Sequence, residues 1–257
     1  VTRPSAGRRA AALALSLAVL PAPAEAACRE EAFEATFYAV CSFDLSRTDL
    51  RLFWRGADGK PYGSFSALQE ELAERGLKLR FAMNGGMYQE DLTPVGLYVE
   101  AGEELKRVNR ADGPAGVQPV PNFYKKPNGI FYAGGGRAGV LETEAYLREK
   151  PSADFATQSG PMLLIDGKIH PAFIVGSTDR KPRNGVCATS PAEVHFVITT
   201  ERVNFHDFAR FFRDRLGCRN ALFLDGGSAP GLYAPELGRN DRPPWEGYGP
   251  IIGVVGE

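Results

Sequence analysis

Asn220-Ala221-Leu222-Phe223-Leu224-Asp225-Gly226-Gly227-Ser228-Ala229-Pro230-Gly231 carries an apolar run straight into one carboxylate, two glycines and a hydroxyl. An unbroken apolar run of this length reads as a strand buried on both faces, so the turn after it stands on a rigid base. The glycines let the backbone approach a ligand and turn N–H groups toward it. Loops of that kind at strand ends are where active sites tend to sit. A plain Asp-Gly turn is the competing reading, and this segment alone weighs the two equally.

Working outward, the same pattern recurs upstream. Leu77–Met83 leads into Asn84-Gly85-Gly86-Met87-Tyr88. An amphipathic helix precedes each of these strands. Ser66 with Gln69 has capping-box spacing, Phe65, Leu68 and Leu72 form one face, and Gly76 fits the stop. Asn204 with Asp207 opens the second helix, Phe205, Phe208, Ala209, Phe212 and Leu216 line one face, and Gly217 ends it. Strand-like runs at 37–43, 51–54, 78–83, 95–99, 129–132, 162–165, 194–199, 221–224 and 251–255 fill most of the remainder. The class expected is α+β: a single domain with a mixed β-sheet core and a few packing helices. Its two similar halves, each helix, strand and Gly-rich loop, meet at one site.

Residues 1–27 read as a secretory signal peptide. Arg3, Arg8 and Arg9 precede an apolar run from Ala10 to Leu20, and small residues follow up to Ala27. The run is too short to span a bilayer. The expected domain is therefore 28–257, exported to the periplasm or secreted, with no stable membrane insertion. It carries 27 basic and 30 acidic residues, a net of −3, which argues against nucleic acid as a partner. Cys28, Cys41, Cys187 and Cys218 read as disulfides in an exported chain. Of three connectivities we expect Cys28–Cys41 and Cys187–Cys218, because each stays within one half of the chain. The spacings do not suit zinc. No cofactor is called for, although Asp225 with backbone carbonyls could hold a divalent cation.

Other segments add candidates. Gln158 and Ser159 stand at the mouth of the strand Met162–Ile165, where they could bind sugar hydroxyls. Asp166-Gly167 between apolar runs is a hairpin turn. Arg180, Lys181 and Arg183 form the one dense basic cluster beside possible ligand groups, and arginine grips phosphate through paired donors. Residues 109–128 read as a long loop or flap whose Phe123 and Tyr124 could cover a sugar. Gly134-Gly135-Gly136-Arg137-Ala138-Gly139 has dinucleotide-motif spacing but no βαβ unit around it, so a hairpin loop is the reading. Gly226-Gly227-Ser228 precedes no helix and does not form a nucleophile elbow. His195 and His206 read as structural.

Asn-Gly-Gly-Met-Tyr, Gln-Ser-Gly-Pro-Met-Leu-Leu-Ile-Asp-Gly, Arg-Asn-Gly-Val and Leu-Asp-Gly-Gly-Ser, in that order, resemble the phosphodiester glycosidase domain family, and its exported bacterial branch most. The resemblance covers about Phe37 to Val255. It implies a hydrolase of sugar-1-phosphodiesters or related glycosidic linkages in envelope or extracellular glycans. It also carries motif positions onto Asn84, Gly85, Gly86, Gln158, Ser159, Gly160, Arg183, Asn184, Asp225, Gly226, Gly227 and Ser228. Many members have a third glycine before the serine, or Arg-Thr in place of Arg183-Asn184, and these departures bear on the substrate. A phosphate monoester leaving group has a second pKa of about 6 and needs little acid help, so one carboxylate and a cationic clamp could suffice where ordinary glycosidases use two carboxylates. Asp225 is expected as base, nucleophile or stabiliser of the oxocarbenium-like centre, with Glu90 or Asp91 as a second carboxylate. Arg183 is expected to bind the phosphate with Lys181 or Arg180 assisting. Asn84, Gln158 and Asn184 are expected to orient the substrate, helped by the Gly226 and Gly227 N–H groups. The alternative is a non-catalytic envelope-glycan binding module using the same cleft.

Overall fold

The computed structural model describes residues 1–2, 27–243 and 247–256. The expected signal peptide lies almost wholly outside them. Three sheets share one apolar core. The largest has seven strands in the order Cys28–Phe33, Thr36–Asp44, Glu193–Thr199, Arg183–Ser190, Ala221–Gly226, Met162–Ile165 and Lys168–Ile169. A second joins Arg239–Asn240, Leu232–Ala234, Lys78–Asn84, Ile251–Gly256 and Asp49–Phe53. A third joins Glu103–Lys106, Tyr98–Glu100, Phe155–Ser159, Gly129–Gly134 and Arg137–Glu142. Every pairing between these strands is antiparallel. The fold is α+β, as expected.

Alternation along the strands builds the layers. Phe43, Phe196, Val186, Leu222 and Leu224 face Phe81, Met83, Ile252 and Phe131 in the core shared by the three sheets. The opposite parity of the seven-stranded sheet, with Val40, Val197, Cys187 and Phe223, is covered by Phe205, Phe208, Phe211 and Phe212. That helix runs as Phe205–Arg210 and continues as a wider π turn, Phe211–Arg215. The wider turn lets Phe211 and Phe212 both stay fully buried. The helix Phe65–Glu74 covers the second sheet in the same way, through Phe65, Leu68 and Leu72. Each helix thus lies outside the sheet whose strand it feeds, as the two-halves reading requires.

The N-caps differ in one respect from the sequence reading. Asn204 caps as expected, its Oδ1 accepting from Asp207 N at 2.8 Å. The first helix is capped by Ser64, whose Oγ accepts from Ala67 N at 3.1 Å, and not by Ser66. Phe65 must enter the core, and this places it at the first helical position. The helix Thr143–Glu149 has no apolar face of the usual width and escaped the sequence reading.

Cys28 pairs with Cys41 across adjacent strands, and Cys187 with Cys218 links a central strand to the end of the second helix. Both hairpin turns read from sequence are present, with positive φ at Asp166 and Gly167 and at Gly135 and Gly136. Among the described residues no helix is long and apolar enough to cross a membrane.

Candidate active site

The two Gly-rich strand ends meet through a chain of buried amides. Strand Arg183–Ser190 pairs with Ala221–Gly226, Asn184 opposite Asp225 and Gly185 opposite Phe223. Leu224 is therefore an extra residue, a β-bulge immediately before Asp225. Bulges break the in–out alternation and re-aim the next side chain. The bulge also takes the Leu224 carbonyl out of the regular ladder, and Ser159 Oγ donates to it at 2.7 Å.

Main-chain donors fix the orientation of both asparagines. Asp225 N–H can only donate, and it donates to Asn184 Oδ1 at 2.8 Å. Asn184 Nδ2 then donates to Asn84 Oδ1 at 2.7 Å, which also accepts from Gly231 N at 3.0 Å. Both asparagines are fully buried. Asn84 Nδ2 is left as a buried donor with no partner. An unmet buried N–H₂ is costly, and this one stands at the end of the amide network.

Asp225 is the carboxylate of the cluster. Burial pushes its pKa up from 3.8 to about 7, against a smaller opposing contribution from the Gly226 N–H, which donates to Oδ1 at 2.7 Å. Tyr88, the last residue of the upstream Gly motif, lies close enough for Asp225 to raise its phenol further, burial being the larger cause. Gly86 closes the other side. At φ 144° it has a backbone for which glycine is suited, and a Cβ there would stand 2.9 Å from Thr157 Oγ1.

Several candidates sit elsewhere than the sequence suggested. Arg183 is 1% exposed. Its Nε donates to Val203 O at 2.9 Å and its NH2 to Asp179 O at 3.2 Å, and the guanidinium stacks 3.6 Å from the Phe205 ring centroid. Adjacent strand residues point to opposite faces, so with Asn184 turned to Asn84, Arg183 is turned away from the Asn84–Asp225 cluster. Burial pulls its pKa down to about 10. Lys181 is half exposed, with Nζ 3.1 Å from Asp179 Oδ1. Gln158 is consumed internally: Oε1 accepts from Leu97 N and Asn109 N at 3.0 and 2.9 Å, and Nε2 donates to Asn109 O at 2.9 Å. It anchors the root of the 109–128 loop, where Phe123 is buried and unavailable to cover a sugar. Gly227 N–H donates to Pro182 O at 3.1 Å, so neither glycine N–H is free. Ser228 is exposed beside Asp225 in the chain. Glu90 and Asp91 are exposed, and Asp91 caps its own turn through Thr93 N at 3.0 Å. His170 and His195 are hydrogen-bonded in place. Among the described residues no three His, Cys, Asp or Glu gather where they could hold a metal ion.

Sequence reasoning missed Tyr88 and Gly231. Tyr88 ended a motif already under suspicion and had a usable signal. Gly231 acts through its backbone N–H and had none.

The phosphodiester glycosidase family profile matches residues 78–252. The uncharacterized protein YigE of Escherichia coli (strain K12) is 34% identical over 206 residues, covering 80% of this chain and 76% of that one. The catalytic domain of zebrafish N-acetylglucosamine-1-phosphodiester alpha-N-acetylglucosaminidase, auto-inhibited by its pro-peptide, is similar in fold. Its TM-score is 0.56 and its identity 15%, over 88% of this chain and 81% of that one. A Burkholderia pseudomallei K96243 protein described as exported has a TM-score of 0.51 and 12% identity, over 85% of this chain and 74% of that one. At such identities both structures speak to the fold alone.

Proposed function

Because this chain belongs to the phosphodiester glycosidase family, we propose that it is an exported hydrolase of a sugar-1-phosphodiester, or a related glycosidic linkage, in envelope or extracellular glycans. The observation that carries this reading is Asp225, a carboxyl that holds its proton to about pH 7 and whose main chain is linked through Asn184 to Asn84, the residue with the unmatched buried donor Nδ2.

An acid poised near the working pH is what general acid–base chemistry needs. A neutral Asp225 also approaches a phosphate oxygen without charge repulsion. The bond from the anomeric carbon to the phosphate oxygen breaks with its electron pair on that oxygen. The departing phosphate is stable as an anion near pH 6, and Asp225 gives its proton to that oxygen as the bond breaks. Water adds to the anomeric carbon, and its proton goes to the Asp225 carboxylate or to the phosphate. Asn84 Nδ2 donates to a sugar or phosphate oxygen, and Asn184 holds the Asp225 main chain. Lys181 sits with Arg183 and Lys125 around Asp179, so the phosphate is met at Asp225 by the neutral carboxyl and by Asn84 Nδ2. Arg183 acts as a positioning residue, fixing the strand opposite Gly226.

Export to the periplasm or beyond is supported by two disulfides, which persist in oxidising compartments. The test is release of free sugar from a nucleotide-sugar and from a simple sugar-1-phosphodiester, beside an aryl glycoside, by wild type and Asp225→Asn. Turnover of the diesters that collapses in the variant supports the reading. Saturable glycan binding without turnover, unaffected by Asp225→Asn, replaces it with the binding module.

A further inference from the structure

A second cluster of reactive side chains lies on strands that the chemistry above does not use. Ser42 stands opposite His195, and Asp44 opposite Glu193, on the paired strands Thr36–Asp44 and Glu193–Thr199. Strand alternation puts all four side chains on the face turned away from Phe43 and Phe196. They come next along that face after Val40 and Val197, which the helix covers. The helical cover ends there: Thr189, Ser190 and Glu193 are exposed, and Ser42 and Asp44 are half-buried. A cavity of about 330 Å³ opens along Ser42, Asp44, Ser190 and Glu193.

One hydrogen-bond chain runs through the cluster, and its direction is fixed. Thr189 Oγ1 donates its one proton to Glu193 Oε2 at 2.6 Å. At 3.0 Å from His195 Nε2 it therefore accepts, so Nε2 carries the imidazole proton. Nδ1 is then the bare nitrogen, and Ser42 Oγ donates to it at 2.8 Å. Ser42 Oγ also accepts from Arg29 NH1 at 3.4 Å, while Glu31 holds Arg29 NH2 at 2.9 Å. Burial keeps the imidazole below the ordinary histidine range; Glu193 and Glu31 oppose this and Arg29 adds to it. A hydroxyl bonded to a neutral imidazole that a third group orients is the arrangement of an activated serine. A pair that merely bridges two strands needs neither the carboxylate at its far end nor a cavity at its hydroxyl.

We propose that Ser42 is the nucleophile of a second hydrolytic site, acting with His195 on small carboxylic esters that carry a positive charge. Ser42 Oγ bonds to the carbonyl carbon, its proton passes to His195 Nδ1, and Arg29 meets the negative charge on the carbonyl oxygen. The bond from that carbon to the alcohol oxygen breaks, and the alcohol leaves with the proton from Nδ1. Water then adds to the acyl carbon and gives a proton to Nδ1. The bond to Ser42 Oγ breaks, Oγ recovers that proton, and the acid is released. Like charges opposite one another on paired strands are unfavourable, so Asp44 and Glu193 favour a cationic group between them. This site is separate from Asp225 and does not depend on the reading of it.

The test incubates the wild-type chain with a biotinylated fluorophosphonate and locates the modified residue by mass spectrometry. Labelling at Ser42 is expected, slowed at least about a hundredfold in His195→Gln. Thr189→Val and Glu193→Gln, at exposed positions that leave the fold intact, are expected to slow it about tenfold. No labelling, labelling only at another serine, or a rate that Thr189→Val and Glu193→Gln leave unchanged would overturn the site and make the cluster a strand bridge. A second arm follows acid release from acetylcholine and from butyl acetate. The cationic ester is expected to show a KM about fivefold lower, and Ser42→Ala to abolish turnover of both. Equal KM values would overturn the substrate class, and turnover that survives Ser42→Ala would overturn the nucleophile.

Discussion

Replacing Asp225 with asparagine should stabilise the protein, and by an amount that depends on pH. The carboxyl titrates at 3.8 when unperturbed and at about 7 in the fold, because burial disfavours its charged form. Below about pH 4 it is neutral in native and unfolded chains alike and costs nothing. Between about 4 and 7 the native chain keeps a proton that the unfolded chain has lost, so stability falls as pH rises. Above about 7 the native state carries the full cost of a buried charge. Each tenfold change in proton affinity is worth ~1.4 kcal/mol, so with allowance for the side chain's partial solvent contact the cost is about 2–4 kcal/mol. Asparagine keeps an oxygen for the Gly226 N–H and has no charge to bury. Its advantage over wild type should therefore be about 2–4 kcal/mol greater at pH 8 than at pH 4, or roughly 4–16 °C in Tm for a chain of this size. Thermal unfolding of both proteins by circular dichroism at pH 4.5, 6 and 8 measures it. A Tm gap that is the same at all three pH values would refute the reasoning, since Asp225 would then titrate as an ordinary exposed carboxylate.

Other expectations follow from the same contacts. Gln158→Leu strands three main-chain groups at Leu97 and Asn109 and should cost about 3–5 kcal/mol in urea unfolding, with hydrogen exchange rising first in residues 109–128. If stability is unchanged, Gln158 is free for substrate after all. Ser159→Ala removes the one side-chain bond to the bulged Leu224 carbonyl. It should cost about 1 kcal/mol and lower kcat more than it changes KM, because the bulge aims Asp225. Arg183→Met should retain measurable substrate affinity while losing stability, as the guanidinium's partners are Val203, Asp179 and Phe205; a variant of native stability whose KM alone collapses would make Arg183 a phosphate clamp. Reducing Cys187–Cys218, which spans 31 residues, should cost about 3–4 kcal/mol by the chain-entropy estimate, seen as a fall in the urea midpoint.

Much of this architecture is legible in the sequence. Leu222–Leu224 and Phe81–Met83 announce buried strands, Asn204-x-x-Asp207 announces a cap, and four cysteines in two halves announce their pairing. Asp225 and Asn84 are legible as strand-end groups. What escaped reading depends on the direction of side chains and on long-range neighbours. Arg183 and Asn184 are consecutive, yet one enters the aromatic stack and the other the amide network, because strand parity separates them. The bulge at Leu224 shifts that parity just where the Asp225 carboxyl sits, and nothing local marks it. The strand Phe155–Ser159 was missed because its Thr, Gln and Ser look like loop residues, while every one of them is buried and two are seen to be hydrogen-bonded within the core. Gln158 reads as a ligand group for the same reason: a fully hydrogen-bonded amide and a free one look identical in sequence.

The pH–rate profile of sugar release from a sugar-1-phosphodiester by wild type and Asp225→Asn tests the role of Asp225 most directly. With Asp225 working as the acid, wild-type kcat/KM should be highest below about pH 7 and fall tenfold per pH unit above it. The variant should be at least about a hundredfold slower and lack that limb. A wild-type profile flat from pH 5 to 9, or a variant as fast as wild type, would contradict it.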